Sequence, residues 1–189
     1  KYDDKQVIAT IKGVSDDFLK MTRLDTITRE GKFLLQHNNI DYAVLGYGLA
    51  RRLNISLTDF MHPLEIYVPK RSNQAVINPE DAFLARSVEV SGIFSLNDDF
   101  DYRYSIISLS LARTLLNRNN ELSAIELGLK PETDIKSTKE EIMRLLRSSL
   151  PHNDVQFDVK TRYEQNEILF KTINSEKWWT FLILAFILV

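Results

Sequence analysis

Residues 178–189 read Trp-Trp-Thr-Phe-Leu-Ile-Leu-Ala-Phe-Ile-Leu-Val, with Thr180 as the single polar side chain. A helix that is apolar on every face has no side to offer to water, so such a run belongs in lipid or in the middle of a large core. Its eight large aliphatic and Phe residues, at about −0.3 to −0.6 kcal/mol each, contribute about −2.5 to −5 kcal/mol toward bilayer insertion. At about 1.5 Å per residue the run covers about 18 Å, short of the roughly 30 Å of hydrocarbon in a bilayer. The run therefore reads as the first part of a transmembrane helix. Lys177 lies just outside it, and Trp178 and Trp179 stand at the level of the headgroups, where aromatic residues mark the membrane interface. At the other end, Lys1 leads almost directly into the strand-like run Val7-Ile8-Ala9-Thr10-Ile11 without a signal-peptide pattern. Both ends read as the boundaries of a fragment.

Ahead of the apolar run the chain has ordinary globular character. Of its 189 residues, 44% are hydrophobic and 26% charged, enough to bury a core. A net charge of −2 gives no electrostatic reason to expect nucleic acid. The absence of cysteine removes disulfides and thiol chemistry.

Periodicity outlines the elements. Residues 7–14 read as a strand ending at Gly13, and Ser15, Asp16 and Asp17 can cap a short helical turn containing Phe18. The apolar run 42–45 is followed, after Gly46, by Leu49 and Leu53 at helical spacing, with Arg51 and Arg52 on the wet face. Residues 64–68 form a strand closed by Pro69. Val88 and Val90 alternate with polar neighbours until Gly92 interrupts the pleat, so the two runs and the excursion between them make a long β-hairpin. Residues 97–99 read as an acidic loop, and Asp98, Asp99 and Asp101 as solvated carboxylates in preference to a calcium site. A strand is expected over 102–107, then a helix with the stripe Leu109, Ala112 and Leu116. Ile125, Leu127 and Leu129 alternate, Ser137 and Glu140 have capping-box spacing ahead of Ile142, Leu145 and Leu146, and Val155, Phe157 and Val159 alternate again: a βαβ pattern with Pro151 ending its helix. Residues 161–177 are helix-compatible with the stripe Leu169, Phe170 and Ile173, and one continuous helix is expected through them into the apolar run.

The side chains that catalysis requires do not come together. His37, His62 and His152 are far apart, without metal-binding spacing, and read as surface or packing residues. Neither a nucleophile elbow nor a phosphate-binding glycine loop occurs, and Gly46-Tyr47-Gly48 lacks the later glycine of a dinucleotide fingerprint. No enzyme activity, metal or cofactor is expected.

Several spacings together resemble the periplasmic region of ABC-transporter permeases of the FtsX/MacB type, closest to the lipoprotein-releasing permeases LolC and LolE. Residues 166–177, Asn-Glu-Ile-Leu-Phe-Lys-Thr-Ile-Asn-Ser-Glu-Lys, are similar to the family's LF-x-A-I-x-x-E-K approach to its second transmembrane helix. Residues 7–18 resemble a strand followed by G-V-D-P-x-F, with Ser15-Asp16 in place of Asp-Pro. Val44-Leu45-Gly46 with Leu49-Ala50 and Leu53 resembles V-x-L-G-x-x-L-A-x-x-L, and the strand at 64–69 follows in order. The family's Gly-Asp after the helix is here Thr58-Asp59, so the turn must be built without glycine.

The resemblance implies an α+β fold with a MacB-like periplasmic core. Its mixed α/β, βαβ-containing subdomain is assigned to residues 1–14 and 121–162, and an inserted mostly β subdomain to 15–120 with the long hairpin at 69–86. A connecting helix and the truncated start of a transmembrane helix occupy 163–189. It further implies an inner-membrane location with this domain on the periplasmic side. The implied partners are a separate cytoplasmic ABC ATPase, a second permease subunit and a periplasmic lipoprotein carrier. In lipoprotein-releasing members a protruding hairpin, the hook, and a nearby polar pad recruit that carrier. The hook position falls on the excursion with Asn78 and Pro79 near its tip and Val76 and Ile77 as apolar anchors. Of the pad, Arg86 matches a basic position, whereas Ala85 and Glu65 occupy its neighbours. Two alternatives stay open: a permease of the same type that activates a cell-wall hydrolase or exports a small molecule or peptide, and the ligand-sensing ectodomain of a receptor.

Overall fold

The computed structural model describes residues 1–22, 24–59, 61–70, 82–149, 157–165 and 183–184. They fall into two compact units, Lys1–Ile125 and Glu126–Val189. The fold is mixed α/β, consistent with α+β, and contains a seven-stranded mixed sheet.

In chain order the first unit contains β1 (Thr10–Val14), α1 (Phe18–Thr22), β2 (Thr28–Gly31), β3 (Gln36–His37), β4 (Ile40–Gly46) and α2 (Tyr47–Leu53). It continues with β5 (Leu64–Pro69), β6 (Phe83–Phe94), α3 (Asp98–Arg103), β7 (Tyr104–Ser108) and α4 (Leu109–Leu116). The strands run in the order β1-β7-β4-β6-β2, with β3 added to β4 and β5 added to β6. At the centre, β4 is parallel to β6 and antiparallel to β7, and β1 is parallel to β7.

The run Ala43-Val44-Leu45-Gly46 is buried throughout, as a strand covered on both faces requires. Alternation sends Val44 into a small core with Val14, Phe18, Phe94 and Ile106. Its neighbours Ala43 and Leu45 enter a larger core with Ala50, Leu53, Leu64, Ile107, Leu111 and Leu115. The helix expected after Gly46 is α2: Leu49, Ala50 and Leu53 are buried and Arg51 and Arg52 exposed. It ends on Asn54 in the left-handed region (φ 58°), whose amide reaches the Ala50 and Arg51 carbonyls, a conformation asparagine tolerates better than most residues.

The structure corrects several expectations. Strand β1 begins at Thr10, and Ile8 before it is fully exposed. The acidic loop at 97–99 is instead the start of α3, because the Asn97 side chain accepts the Phe100 amide at 3.1 Å and so caps a helix. In α4 the buried pair is Leu111 and Leu115, while Leu116 is exposed. The Ser108 cap starts the helix at Leu109 and so sets which face meets the sheet. The interruption expected at Gly92 is present, since the register of β6 against β4 slips from Ala43↔Val90 to Val44↔Gly92, and the strand runs on to Phe94.

In the second unit α5 (Ile135–Ser149) and α6 (Arg162–Gln165) are described. Asp134 caps α5 through the Ser137 amide at 3.0 Å, so Ser137 lies inside the first turn and the expected capping box with Glu140 is not the start of the helix. The strands expected on either side of α5 are not present among the described residues. Among the described residues, 124–130 and 157–160 join no strand ladder, and Ile125, Leu127 and Phe157 are exposed. Alternation selects a face, but a strand exists only where another strand takes its backbone hydrogen bonds.

Leu45, 2% exposed, lies in the larger core, whereas Leu127 is 63% exposed. Leu45→Ala is expected to cost about 2–5 kcal/mol and Leu127→Ala no more than about 0.5 kcal/mol, as measured by urea unfolding.

Candidate functional site

The hairpin foreseen from the alternating runs has a regular stem. β5 and β6 are antiparallel from Leu64↔Val88 through Ile66↔Arg86 to Pro69↔Phe83, and the Lys70 amide donates to the Ala82 carbonyl at 2.7 Å beyond the last pair. Leu64, Ile66 and Val88 are buried, which fastens the foot of the stem to the larger core, and Tyr67 and Phe83 are exposed. Val76, Ile77, Asn78 and Pro79 lie outside the described residues. Arg86 is exposed and opposite Ile66, on the face that carries Leu64 and Val88. Because successive residues of a strand point to opposite sides, Ala85 and Glu65 lie on the other face. Glu65 is also engaged there: its carboxylate accepts the Tyr67 hydroxyl at 3.0 Å and lies 3.7 Å from Lys1 Nζ. The stem thus does not gather the three pad positions into one surface.

At the foot of the stem a polar cluster joins residues 1–5 to the loop between α2 and β5. Tyr2 is 6% exposed, its ring in the larger core. Its hydroxyl donates to Asp59 Oδ2 at 2.9 Å, and His62 Nδ1 meets the same oxygen at 2.9 Å. The Met61 amide donates to Asp59 Oδ1 at 2.9 Å, and the Tyr2 and His62 rings meet edge to face at 6.3 Å. The His62 hydrogen bond, the Met61 amide and the Tyr2 hydroxyl hold the Asp59 carboxyl down at about 2. The hydrogen bond and charge of Asp59 raise His62 above its ordinary value, and burial followed by the Asp59 hydrogen bond raises the Tyr2 phenol. The turn at Thr58-Asp59 is closed without glycine by one side-chain contact and one backbone bond: Ser56 Oγ and Thr58 Oγ1 are 2.8 Å apart, and the Asp59 amide donates to the Ser56 carbonyl at 3.1 Å. Sequence spacing read His62 as a surface or packing residue and gave no sign of its second partner, Tyr2, sixty positions away.

In the second unit α6 starts with a reciprocal cap. The Thr161 amide donates to Glu164 Oε2 at 2.8 Å, and the Glu164 amide donates to Thr161 Oγ1 at 3.3 Å, a capping box. Lys139 on α5 donates to both Glu164 oxygens at 2.6 and 2.7 Å. Lys139 first, then the Thr161 amide, lowers the Glu164 carboxyl. Lys177, Trp178 and Trp179 lie outside the described residues. Of the apolar run, Ile183 and Leu184 are described, helical and exposed.

The remaining acidic residues have separate roles. Asp101 is buried and accepts the Ser95 hydroxyl at 2.7 Å and the Leu96 amide at 2.8 Å, while Asp99 pairs with Arg103 at 3.6 Å. Among the described residues no group of three His, Cys, Asp or Glu is placed to hold a metal ion. An open cleft of about 500 Å³ lies between α1 and β2, lined by Leu19, Lys20, Thr28, Gly31, Lys32 and Phe33. Among the described residues no helix is long and apolar enough to cross a membrane. No family model and no curated protein matches the chain.

Removing the Thr161 hydroxyl takes away half of the α6 capping box. Thr161→Ala is expected to weaken this helix start by about 1 kcal/mol, seen as roughly fivefold faster amide exchange at Glu164.

Proposed function

We propose that the chain is the extracytoplasmic domain of an ABC-transporter permease subunit of a lipoprotein-releasing system, with a MacB-like periplasmic core. It couples ATPase-driven motion to the handling of substrate or carrier outside the inner membrane. The observation that carries this reading is the β5–β6 stem: an antiparallel ladder whose foot is buried in the core and whose described pairing leads outward to Pro69 and Phe83. It stands at the place in the chain that the family uses for its hook. The order of motifs around it supports the same assignment, above all the run at 166–177 that leads into the apolar segment.

On this reading a separate cytoplasmic subunit hydrolyses ATP, and two permease subunits move in the membrane. The motion would reach the outer domain through the helix expected from the sequence at 161–177. The excursion expected at 70–85 then meets a lipoprotein carrier through its apolar residues Val76 and Ile77. Arg86 contributes a cation beside the stem.

One observation favours a second reading, a permease of the same type with a different cargo. Arg86 and the positions of Ala85 and Glu65 occupy opposite faces of the stem, and Glu65 is engaged by Tyr67 and Lys1. That arrangement lacks the polar pad of a carrier-recruiting member. Activation of a cell-wall hydrolase or export of a small molecule or peptide then replaces lipoprotein release.

The readings separate in one experiment with the purified chain and its cognate lipoprotein carrier. V76D/I77D should leave thermal stability unchanged and weaken carrier binding at least tenfold, a loss of about 1.4 kcal/mol or more. Absence of binding by the unmodified chain, together with lipoprotein release that survives deletion of residues 74–79, would overturn the lipoprotein reading in favour of the second.

A further inference from the structure

We propose that Tyr2, Asp59 and His62 form a proton-sensitive latch that couples the N-terminal segment to the foot of the β5–β6 hairpin. Three kinds of contact converge there. The Tyr2 ring is sunk in the larger core, its hydroxyl and the His62 ring share Asp59 Oδ2, and the Glu65 amide at the start of β5 donates to the Lys1 carbonyl at 2.8 Å. Tyr2 and Lys5 exchange backbone hydrogen bonds at 2.8 and 3.0 Å, so the segment is folded into a closed loop against this site. His62 is separated from Leu64, the first residue of β5, by Pro63 alone, which leaves little slack between the latch and the strand. A displacement of Tyr2 is therefore passed to β5 and from there to the stem.

The charges set the direction of the pH response. Protonated His62 gives Asp59 a charge-assisted hydrogen bond, stronger than the bond a neutral imidazole gives. Because the folded value of His62 is raised above 6.5, its contribution is complete below that pH and is lost as pH rises through the folded value. Asp59, held at about 2 against an ordinary 3.8, contributes above 3.8 and fails only as pH falls toward 2. The latch is thus tightest between about pH 4 and 6.5 and loosens on the alkaline side, while the Tyr2–Asp59 bond persists. The other groups facing it are Asp3, whose charge also favours protonated His62, and the Lys1–Glu65 pair with Tyr67 on Glu65. The Lys1 α-amino group donates to the Glu65 carbonyl at 2.6 Å and is lowered by burial, so it is blocked by acetylation in the test.

The part this latch takes in transmitting membrane-driven motion rests on the proposed function, but the latch itself is read without any partner. Amide exchange is followed by NMR on the acetylated 189-residue chain in detergent micelles, corrected for intrinsic rates. Protection of the Glu65 and Lys5 amides should fall roughly two- to fivefold between pH 6 and 8.5, the range of an exposed ion pair, while the Leu45 amide in the sheet stays constant. H62Q should abolish the slope, D59N should flatten it and lower protection throughout, and Y2F should lower protection at both pH values with the slope kept. A flat response in the unmodified chain, or an undiminished slope in both H62Q and D59N with Leu45 still protected, would overturn the latch. Loss of carrier binding alone bears on the proposed function and leaves these slopes as they are.

Discussion

The first unit depends on covering both faces of β4. Its residues Ala43 to Gly46 are buried without interruption, so apolar material is needed above and below one strand. Leu111 and Leu115 of α4 and Ala50 and Leu53 of α2 cover the side of Ala43 and Leu45, while Phe18, Phe94 and Ile106 cover Val44. Gly46 tightens this arrangement, because a Cβ there would run into the Asp101 backbone. The turn leaving β6 must therefore come close to the end of β4, and it brings a buried carboxylate with it. Asp101 is tolerated there because Ser95 and Leu96 satisfy its oxygens.

The same constraint explains why the hairpin stem is stiffly connected. β6 pairs with β5 over residues 83–88, and from Glu89 onward it becomes the parallel neighbour of β4 and, near its end, the antiparallel neighbour of β2. One unbroken strand thus belongs to the stem and to the centre of the sheet. Gly92 makes this possible, since β2 crosses so near that a side chain there would meet the carbonyls of Lys32 and Glu30. Glycine in this strand marks a register shift and a close backbone approach at once, and the sequence does not say which of the two it serves.

That ambiguity shows where sequence reading reaches its limit. Strand β4 and helix α2 were legible because an apolar run and an i, i+4 pair lie within a few residues of each other, and the hairpin because both its arms are apolar and bounded by Pro69 and a polar excursion. These local periods gave the mixture of strands and helices, and the α+β class itself was what the resemblance implied. The order of the sheet did not, since β1 beside β7 and β4 beside β6 are long-range choices that no local period records. The expected strands around α5 illustrate the converse: Ile125, Leu127 and Leu129 carry the alternation, but among the described residues no partner accepts their backbone. Within the candidate site, Arg86 lies on the stem opposite Ile66, and its assignment to a pad rests on the resemblance. Val76, Ile77, Asn78 and Pro79, with Lys177, Trp178 and Trp179, rest on the sequence alone. The joining of Asp59 and His62 to Tyr2 escaped notice because neither spacing nor composition reveals a tyrosine that returns from residue 2.

The two polar junctions share a design despite lying in different units. Each sets one carboxylate between segments distant in sequence: Asp59 accepts from Tyr2, 57 residues away, and Glu164 accepts from Lys139, 25 residues away. Each is also fixed locally, by the Met61 amide in one case and the Thr161 amide in the other. Such partly exposed contacts contribute little to global stability, so stability does not account for their geometry. What they do determine is which segment moves with which. Tyr2 cannot shift without drawing on the loop that begins β5, and α6 cannot tilt without drawing on α5. A contact of this strength holds position at rest and can be rearranged by a modest force or a single proton, whereas burial of the same charges would make release far more costly. The weakness of these junctions is therefore what lets the segments they join be rearranged at small cost.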